Sequence, residues 1–170
     1  VIEVALEFIR VVFGGYLYPR RHLLVPTSLA GASDDASGII YGYSVSISCD
    51  YPLVGAYGDD DGRSTSGSAY IFIRSGTSWS QQAKLVASDD WTNDNFGMSV
   101  SISGDYALVG SYGDDDGGSP SGSAHIFFRD GTPWTHHAQF CSSSSSQPRD
   151  FVLSVSIAGG FSLLWSPLAR

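Results

Sequence analysis

The sequence predicts an all-β chain, a partial β-propeller of four-stranded antiparallel blades. Three features carry that reading: an internal repeat, strand-like alternation inside each copy, and a composition suited to tight turns. Residues 41–85 recur at 96–140 without a gap, displaced by 55 positions, and 29 of the 45 aligned pairs are identical. Repeats of that length belong to stacked or radial arrays, in which one unit covers its apolar face with the next. Tyr, Phe and Trp make up 13% of the chain and Gly occurs 20 times, which favours short strands and turns over helices.

The first whole unit, residues 41–95, reads as four strands. Ser44-Val45-Ser46-Ile47-Ser48 alternates small polar with β-branched residues, the period of a half-buried strand. A turn at Cys49-Asp50 leads into a second strand over Tyr51 to Ala56. Tyr57 to Ser68 is polar and turn-forming throughout. A third strand covers Ala69 to Arg74, and Ser75-Gly76-Thr77 closes a hairpin into a fourth over Trp79 to Ala87. Pro52 becomes Ala107 in the next copy, so the backbone there tolerates a missing N–H, as a strand start or edge does. The second unit, 96–150, repeats the pattern, with His125 in the place of Tyr70 and His136-His137 in the place of Gln81-Gln82. Its closing run, Ser142 to Pro148, has the composition of a linker. Four short strands per unit, set about an axis, describe a propeller blade.

The two ends are weaker copies. Tyr16-Leu17-Tyr18-Pro19-Arg20 echoes Tyr70 to Arg74, and Ala32 to Asp35 matches Ala87 to Asp90, so residues 1–40 are expected to form a degraded or partial blade. A single helix over the apolar start is the competing reading, because so short a run does not fix the period. Residues 151–170 keep Ser154, Val155, Ser156, Ile157 and Leu163 of the repeat and are expected to form a partial blade. Phe151 to Ala169 carries no charge, but Gly159-Gly160, the serines and Pro167 argue against a membrane span there. Val1 to Arg10 has the wrong charge order for a signal peptide. Propellers close with about four to eight blades. The chain is therefore expected to be a fragment of a longer protein, ahead of a piece of an oligomer or a chain unstable alone, and in isolation to self-associate through its open blade faces or be partly unfolded.

Charge narrows the partners. The net charge of −8 comes almost wholly from Asp, which disfavours nucleic acid and anionic membranes. Cys49 and Cys141 occupy non-equivalent repeat positions, so no disulfide framework follows. No G-x-S-x-G or comparable nucleophile context occurs, and no enzyme is expected. His136 and His137, as strand neighbours, should face opposite ways. Trp79 and Trp134 recur at one blade position, either as packing residues or as a sugar-stacking platform. The chemistry concentrates in two loops. Asp59, Asp60 and Asp61 before Gly62, and Asp114, Asp115 and Asp116 before Gly117, are candidate Ca²⁺ ligands, since Ca²⁺ takes several oxygens from a flexible loop. The plainer alternative is that these turns solubilise the loop and bond to their own backbone.

Phe96-Gly97 followed by Val109-Gly110-Ser111-Tyr112, and Tyr41-Gly42 followed by Val54-Gly55-Ala56-Tyr57, resemble the FG-GAP repeat. The likeness is to its short variety, FGxSVSISGDxALVGAxxDDDGGxxSGSAYIFxRSGTxW, and it is strong over residues 41–140. Tyr57 and Tyr112 stand where that motif has Pro. The resemblance implies a propeller similar to the head of integrin α chains, which has seven blades. It also implies Ca²⁺ binding through a D-x-D-x-D-G loop between the Phe-Gly and the Gly-Ala-Pro. That interval here holds only Ser48-Cys49-Asp50-Tyr51 and Ser103-Gly104-Asp105-Tyr106, so the family's calcium loop does not carry over. The function expected is a non-enzymatic interaction or adhesion module, extracellular or at the cell surface, presenting loops to a protein partner. The alternative is a carbohydrate-binding, lectin-like propeller with a glycan as its partner.

Overall fold

Serine alternating with valine or isoleucine makes strands wherever the repeat carries that pattern. The computed structural model describes residues 42–60, 63–76, 78–89, 91–115, 122–141, 154–159 and 161–165, and among these it holds ten strands and no helix. The first sheet is β1 (Ser44–Ser48), β2 (Tyr51–Ala56), β3 (Ser68–Ser75) and β4 (Ser78–Leu85). The second is β5 (Phe96–Ser103), β6 (Tyr106–Ser111), β7 (Ser123–Arg129) and β8 (Trp134–Cys141). A hairpin of β9 (Ser154–Ala158) and β10 (Phe161–Trp165) follows. Strands are adjacent in chain order and antiparallel in every sheet, and no sheet closes on itself. The architecture is the expected all-β partial propeller. The partial blade and the competing helix expected within residues 1–40 lie outside the described residues.

Corresponding irregularities recur in both blades. Register shifts between Ile71 and Phe72 in the first and between Ile126 and Phe127 in the second, 55 residues on. The turn after each innermost strand opens with a left-handed residue: Cys49 at φ 54°, Gly104 at 59° and Gly159 at 56°. Glycine occupies that conformation without steric penalty, whereas Cys49 does not.

The core lies between blades. Leu53, Ala69, Ile71, Leu85 and Ala87 of the first unit form one buried cluster with Phe96, Val100, Ile102, Ala107, Val109 and Phe127 of the second. Leu108 and Ala124 of the second cluster in turn with Val155 and Ile157. Each blade thus completes its hydrophobic face with its neighbour, as a repeat array requires. Contact is close enough to involve backbone. A Cβ on Gly55 would stand 1.9 Å from the Gly97 carbonyl oxygen, and one on Gly97, at φ 89°, would meet the Ser68 carbonyl at 2.2 Å. The glycine of Gly55-Ala56 and that of Phe96-Gly97 therefore meet across the seam.

Serines stitch the innermost strands together. The N–H groups of Ile102 and Gly104 donate to Ser46 Oγ at 3.1 Å and Ser48 Oγ at 3.0 Å. Ile157 and Gly159 repeat this with Ser101 Oγ at 3.1 Å and Ser103 Oγ at 3.4 Å. Ser44 Oγ donates to the Gly97 carbonyl at 2.8 Å. Backbone donors on the open edges of β5 and β9 are thus satisfied by the blade before each.

Candidate functional site

The Asp-rich loops leave the same end of both blades, between β2 and β3 and between β6 and β7. Their first aspartates turn inward. Asp59 is 1% exposed, and its Oδ2 accepts hydrogen bonds from Tyr70 Oη at 2.7 Å and Ser68 Oγ at 2.5 Å. Lys84 Nζ lies 3.1 Å from the same oxygen. Asp59 Oδ1 is buried with no hydrogen-bond partner in the structure. The Asp59 carbonyl accepts from Gly67 N at 3.0 Å, closing the base of the loop. Asp60 is exposed, and its Oδ1 accepts from Thr65 N. Asp61 lies outside the described residues.

Asp114 takes the equivalent place in the second blade and is also buried. Its carbonyl accepts from Gly122 N at 2.9 Å, as Asp59 does from Gly67. The side-chain neighbours have changed. Where the first blade has Lys84, the second has Gln139, whose Nε2 donates to Asp114 Oδ2 at 3.2 Å and to Asp89 Oδ2 at 3.5 Å. Where the first has Tyr70, the second has His125, with Nε2 3.8 Å from Asp114 Oδ2. Asp115 is exposed and Asp116 lies outside the described residues. Among the described residues, no three His, Cys, Asp or Glu side chains converge as a group able to hold a metal.

Loss of the lysine gathers negative charge. Asp94 is buried, its Oδ2 accepting from Trp91 N at 2.8 Å. Burial, opposed by that hydrogen bond and assisted by the charges of Asp114, Asp89 and Asp115, raises its carboxyl to about 7. Burial pulls His125 down to about 4, opposed by Asp114 and Asp89 and assisted by His136, so the ring is neutral at physiological pH.

Ser123 Oγ lies 2.8 Å from His125 Nε2, which brings Ser, His and Asp side chains together. The arrangement is not a nucleophile relay. Serine and carboxylate approach the same ring nitrogen, whereas a relay needs them on opposite ones, and His125 is fully buried. His125 Nδ1 instead faces His136 Nε2 at 3.3 Å, while His137 lies near the ring of Phe128. The two neighbouring histidines thus have different surroundings.

Trp79 and Trp134 serve packing. Trp134 lies against the inter-blade cluster, its Nε1 donates to Gln82 Oε1 of the first blade at 3.0 Å, and Arg129 stands 5.6 Å from its ring centre. Trp79 packs against Val54, Ala56, Tyr70 and Phe72, with Arg74 at 5.8 Å. Trp91, by contrast, is 50% exposed, with Arg63 4.3 Å above its ring. It stands on a clasped rim. Asn93 N donates to the Ser64 carbonyl at 3.0 Å, Asn95 N to Thr65 at 3.1 Å, and Thr65 Oγ1 to Asn93 Oδ1 at 2.6 Å. Asn93 and Asn95 take positive φ, 68° and 55°, to make this turn. Sequence reasoning overlooked this rim, and also Lys84, Asp89, Asp94 and Gln139. The available signal was the exchange of Lys84 for Gln139 inside an otherwise preserved repeat.

No helix among the described residues is long and apolar enough to cross a membrane. No curated protein matches the chain. The FG-GAP repeat family matches it over residues 30–72 and 79–127, more than half of its length. With the blades, their glycine contacts and their serine stitching in view, the chain belongs to the FG-GAP repeat family.

Proposed function

We propose that this chain is a non-enzymatic interaction module, a segment of an extracellular or cell-surface propeller that presents its loop end to a protein partner. FG-GAP repeats occur in integrin-like adhesion and interaction propellers, which supports that setting. The observation that carries the reading is the clasped rim formed by the 57–67 loop and residues 91–95. It holds Trp91 and Arg63 stacked and exposed on a backbone fixed by cross-loop hydrogen bonds. Tryptophan and arginine are the side chains most enriched at binding hot spots, and a preformed rim avoids the entropy of ordering a loop on contact. The lectin-like alternative draws less support, because Trp79 and Trp134 are engaged with the core and with arginines.

Binding of the chain to intact cells tests the proposal. Protease shaving of the cells should abolish binding, glycosidase treatment should leave it, and Trp91→Ala should weaken it by about tenfold or more, as loss of a hot-spot residue does. Binding that glycosidase removes and protease spares would instead favour the glycan reading.

Calcium is the second part of the proposal. The 112–122 loop is the better candidate, since Lys84 already neutralises Asp59 whereas the same repeat position beside Asp114 holds the uncharged Gln139. Ca²⁺ at about 100 times its dissociation constant stabilises a native-only site by about 2.7 kcal/mol. A Tm shift beyond that of matched ionic strength, reduced by Asp115→Asn, is the expected result. No shift would remove the metal from the proposal.

A further inference from the structure

Among the described residues the serine stitching occurs twice, and residues that would make a third instance, Ile47 at one end and Ser154 and Ser156 at the other, are exposed. In the two complete seams, Ser46 and Ser48 of β1 meet the N–H groups of Ile102 and Gly104, and Ser101 and Ser103 of β5 meet those of Ile157 and Gly159. The offset is 56 residues each time. The isoleucine beside each satisfied N–H is buried against the preceding blade: Ile102 is 5% exposed and Ile157 6%. Ile47 holds the same repeat position in β1 and is 37% exposed. Val45 is likewise less buried than its counterparts Val100 and Val155. At the far end, Ser154 and Ser156 of β9 repeat Ser44 and Ser46, and both are exposed. Leu163 stands at the repeat position of the buried Leu53 and Leu108.

We propose that these two ends are one interface, in which β9 of one copy of this chain docks head to tail onto β1 of a second copy. Ser156 Oγ accepts the Ile47 N–H, as Ser46 and Ser101 accept those of Ile102 and Ile157. The second copy is the occupant because the new contact continues a seam the molecule already builds twice, from the same residues in the same register. Ile47 and Val45 then lose their exposure, which is the hydrophobic gain that favours association. One bond of the set is missing. Ala158 stands where Ser48 and Ser103 have a hydroxyl, so the Cys49 N–H gains no side-chain acceptor there. The contact is heterologous, and copies close into a ring or extend as an open run according to the rotation between them. It rests on the seams alone, so it stands or falls separately from the partner-binding rim.

Sedimentation and cross-linking of the full chain test it. The chain should show concentration-dependent mass above 18.1 kDa. Ile47→Asp should weaken association by at least about tenfold, because docking would then bury an unpaired carboxylate. Its Tm should change little, since the side chain is exposed in the single copy. The missing hydroxyl supplies a second readout. Residue 158 of one copy comes to lie beside residue 49 of the next, within reach of a disulfide. Ala158→Cys in a Cys141→Ser background should therefore give reducible multimers under mild oxidation, and adding Cys49→Ser should remove them. A chain that stays monomeric at its highest soluble concentration would overturn the proposal. So would association that survives Ile47→Asp and gives no cross-link through Cys49.

Discussion

The two complete blades share a backbone and differ in one buried charge. In the first, Asp59 is surrounded by Tyr70, Ser68 and the Lys84 ammonium. In the second, Asp114 has His125, Gln139 and, close by, Asp89 and Asp94. The same loop closes over both, through Gly67 N on the Asp59 carbonyl and Gly122 N on that of Asp114. Loop geometry therefore depends on the main-chain bond at the aspartate and not on a counter-ion for its side chain. The second blade lessens the extra negative charge by another route, with the Asp94 carboxyl raised to about 7 and so about half protonated at neutral pH.

Exchanging the partners of the two aspartates should give the largest effect. Lys84→Met keeps the aliphatic stem but removes the cation from beside a buried carboxylate. It should destabilise the first blade by about 2–3 kcal/mol, less than a fully buried pair because the lysine is partly solvated. The reverse change, Gln139→Lys, should stabilise the second by about 1 kcal/mol. Thermal and urea unfolding of both variants measure this directly. If the two substitutions have equal and small effects, the contrast between the blades is not electrostatic.

The pH dependence sharpens the contrast. Asp94 binds its proton more tightly folded than unfolded, so it contributes stability at low pH that is lost as pH rises from about 4 to about 7. His125 has the opposite sign. Its folded value near 4 lies below the unfolded 6.5, so it contributes stability at neutral pH that is lost as pH falls through that interval. The two nearly offset in the intact chain. Asp94→Asn should leave stability rising with pH between about 4 and 6.5, and His125→Tyr, the residue of the first blade, should leave it falling across the same range. Urea midpoints measured at several pH values decide the matter, and a flat profile in both variants would refute the assignment.

The smallest effect concerns the inner turns. Cys49 holds a left-handed conformation that glycine holds at the same place in the second blade and the third hairpin. Cys49→Gly should stabilise the first blade by about 1 kcal/mol, through relief of Cβ strain offset in part by unfolded-state entropy. Thermal unfolding measures it. No change, or a loss, would mean that the unfolded-state entropy outweighs the strain.

Strands were legible because alternation is local. The expected first two strands, Ser44 to Ser48 and Tyr51 to Ala56, coincide with β1 and β2, and the third and fourth differ from β3 and β4 by a residue or two at their ends. The site was less legible, for a physical reason. Lys84 is 25 residues from Asp59 and lies on β4, so its proximity depends on the β3–β4 register and on the bulge at Ile71 and Phe72. Likewise, nothing in Ser-Val-Ser-Ile-Ser says that its hydroxyls serve the next inner strand rather than water, since that follows from blade stacking. The Asp triplets read as uniform runs, yet Asp59 points into the blade and Asp60 out of it. Pleating separates neighbours that composition groups together.

The meeting of Gly55 with Gly97 bears on how such a protein changes length. The covalent repeat and the contact it makes are out of phase: this seam takes one glycine from the end of the first unit's second strand and the other from the start of the following unit. Duplicating residues 41–95 copies Gly42 and Gly55 together, so the added unit brings a glycine to the seam on either side of it. A substitution at either glycine, by contrast, spoils a seam that its own unit only half owns. A gain of that unit therefore keeps a glycine pair at each new junction, whereas a single side chain added at Gly55 or Gly97 meets backbone across the seam.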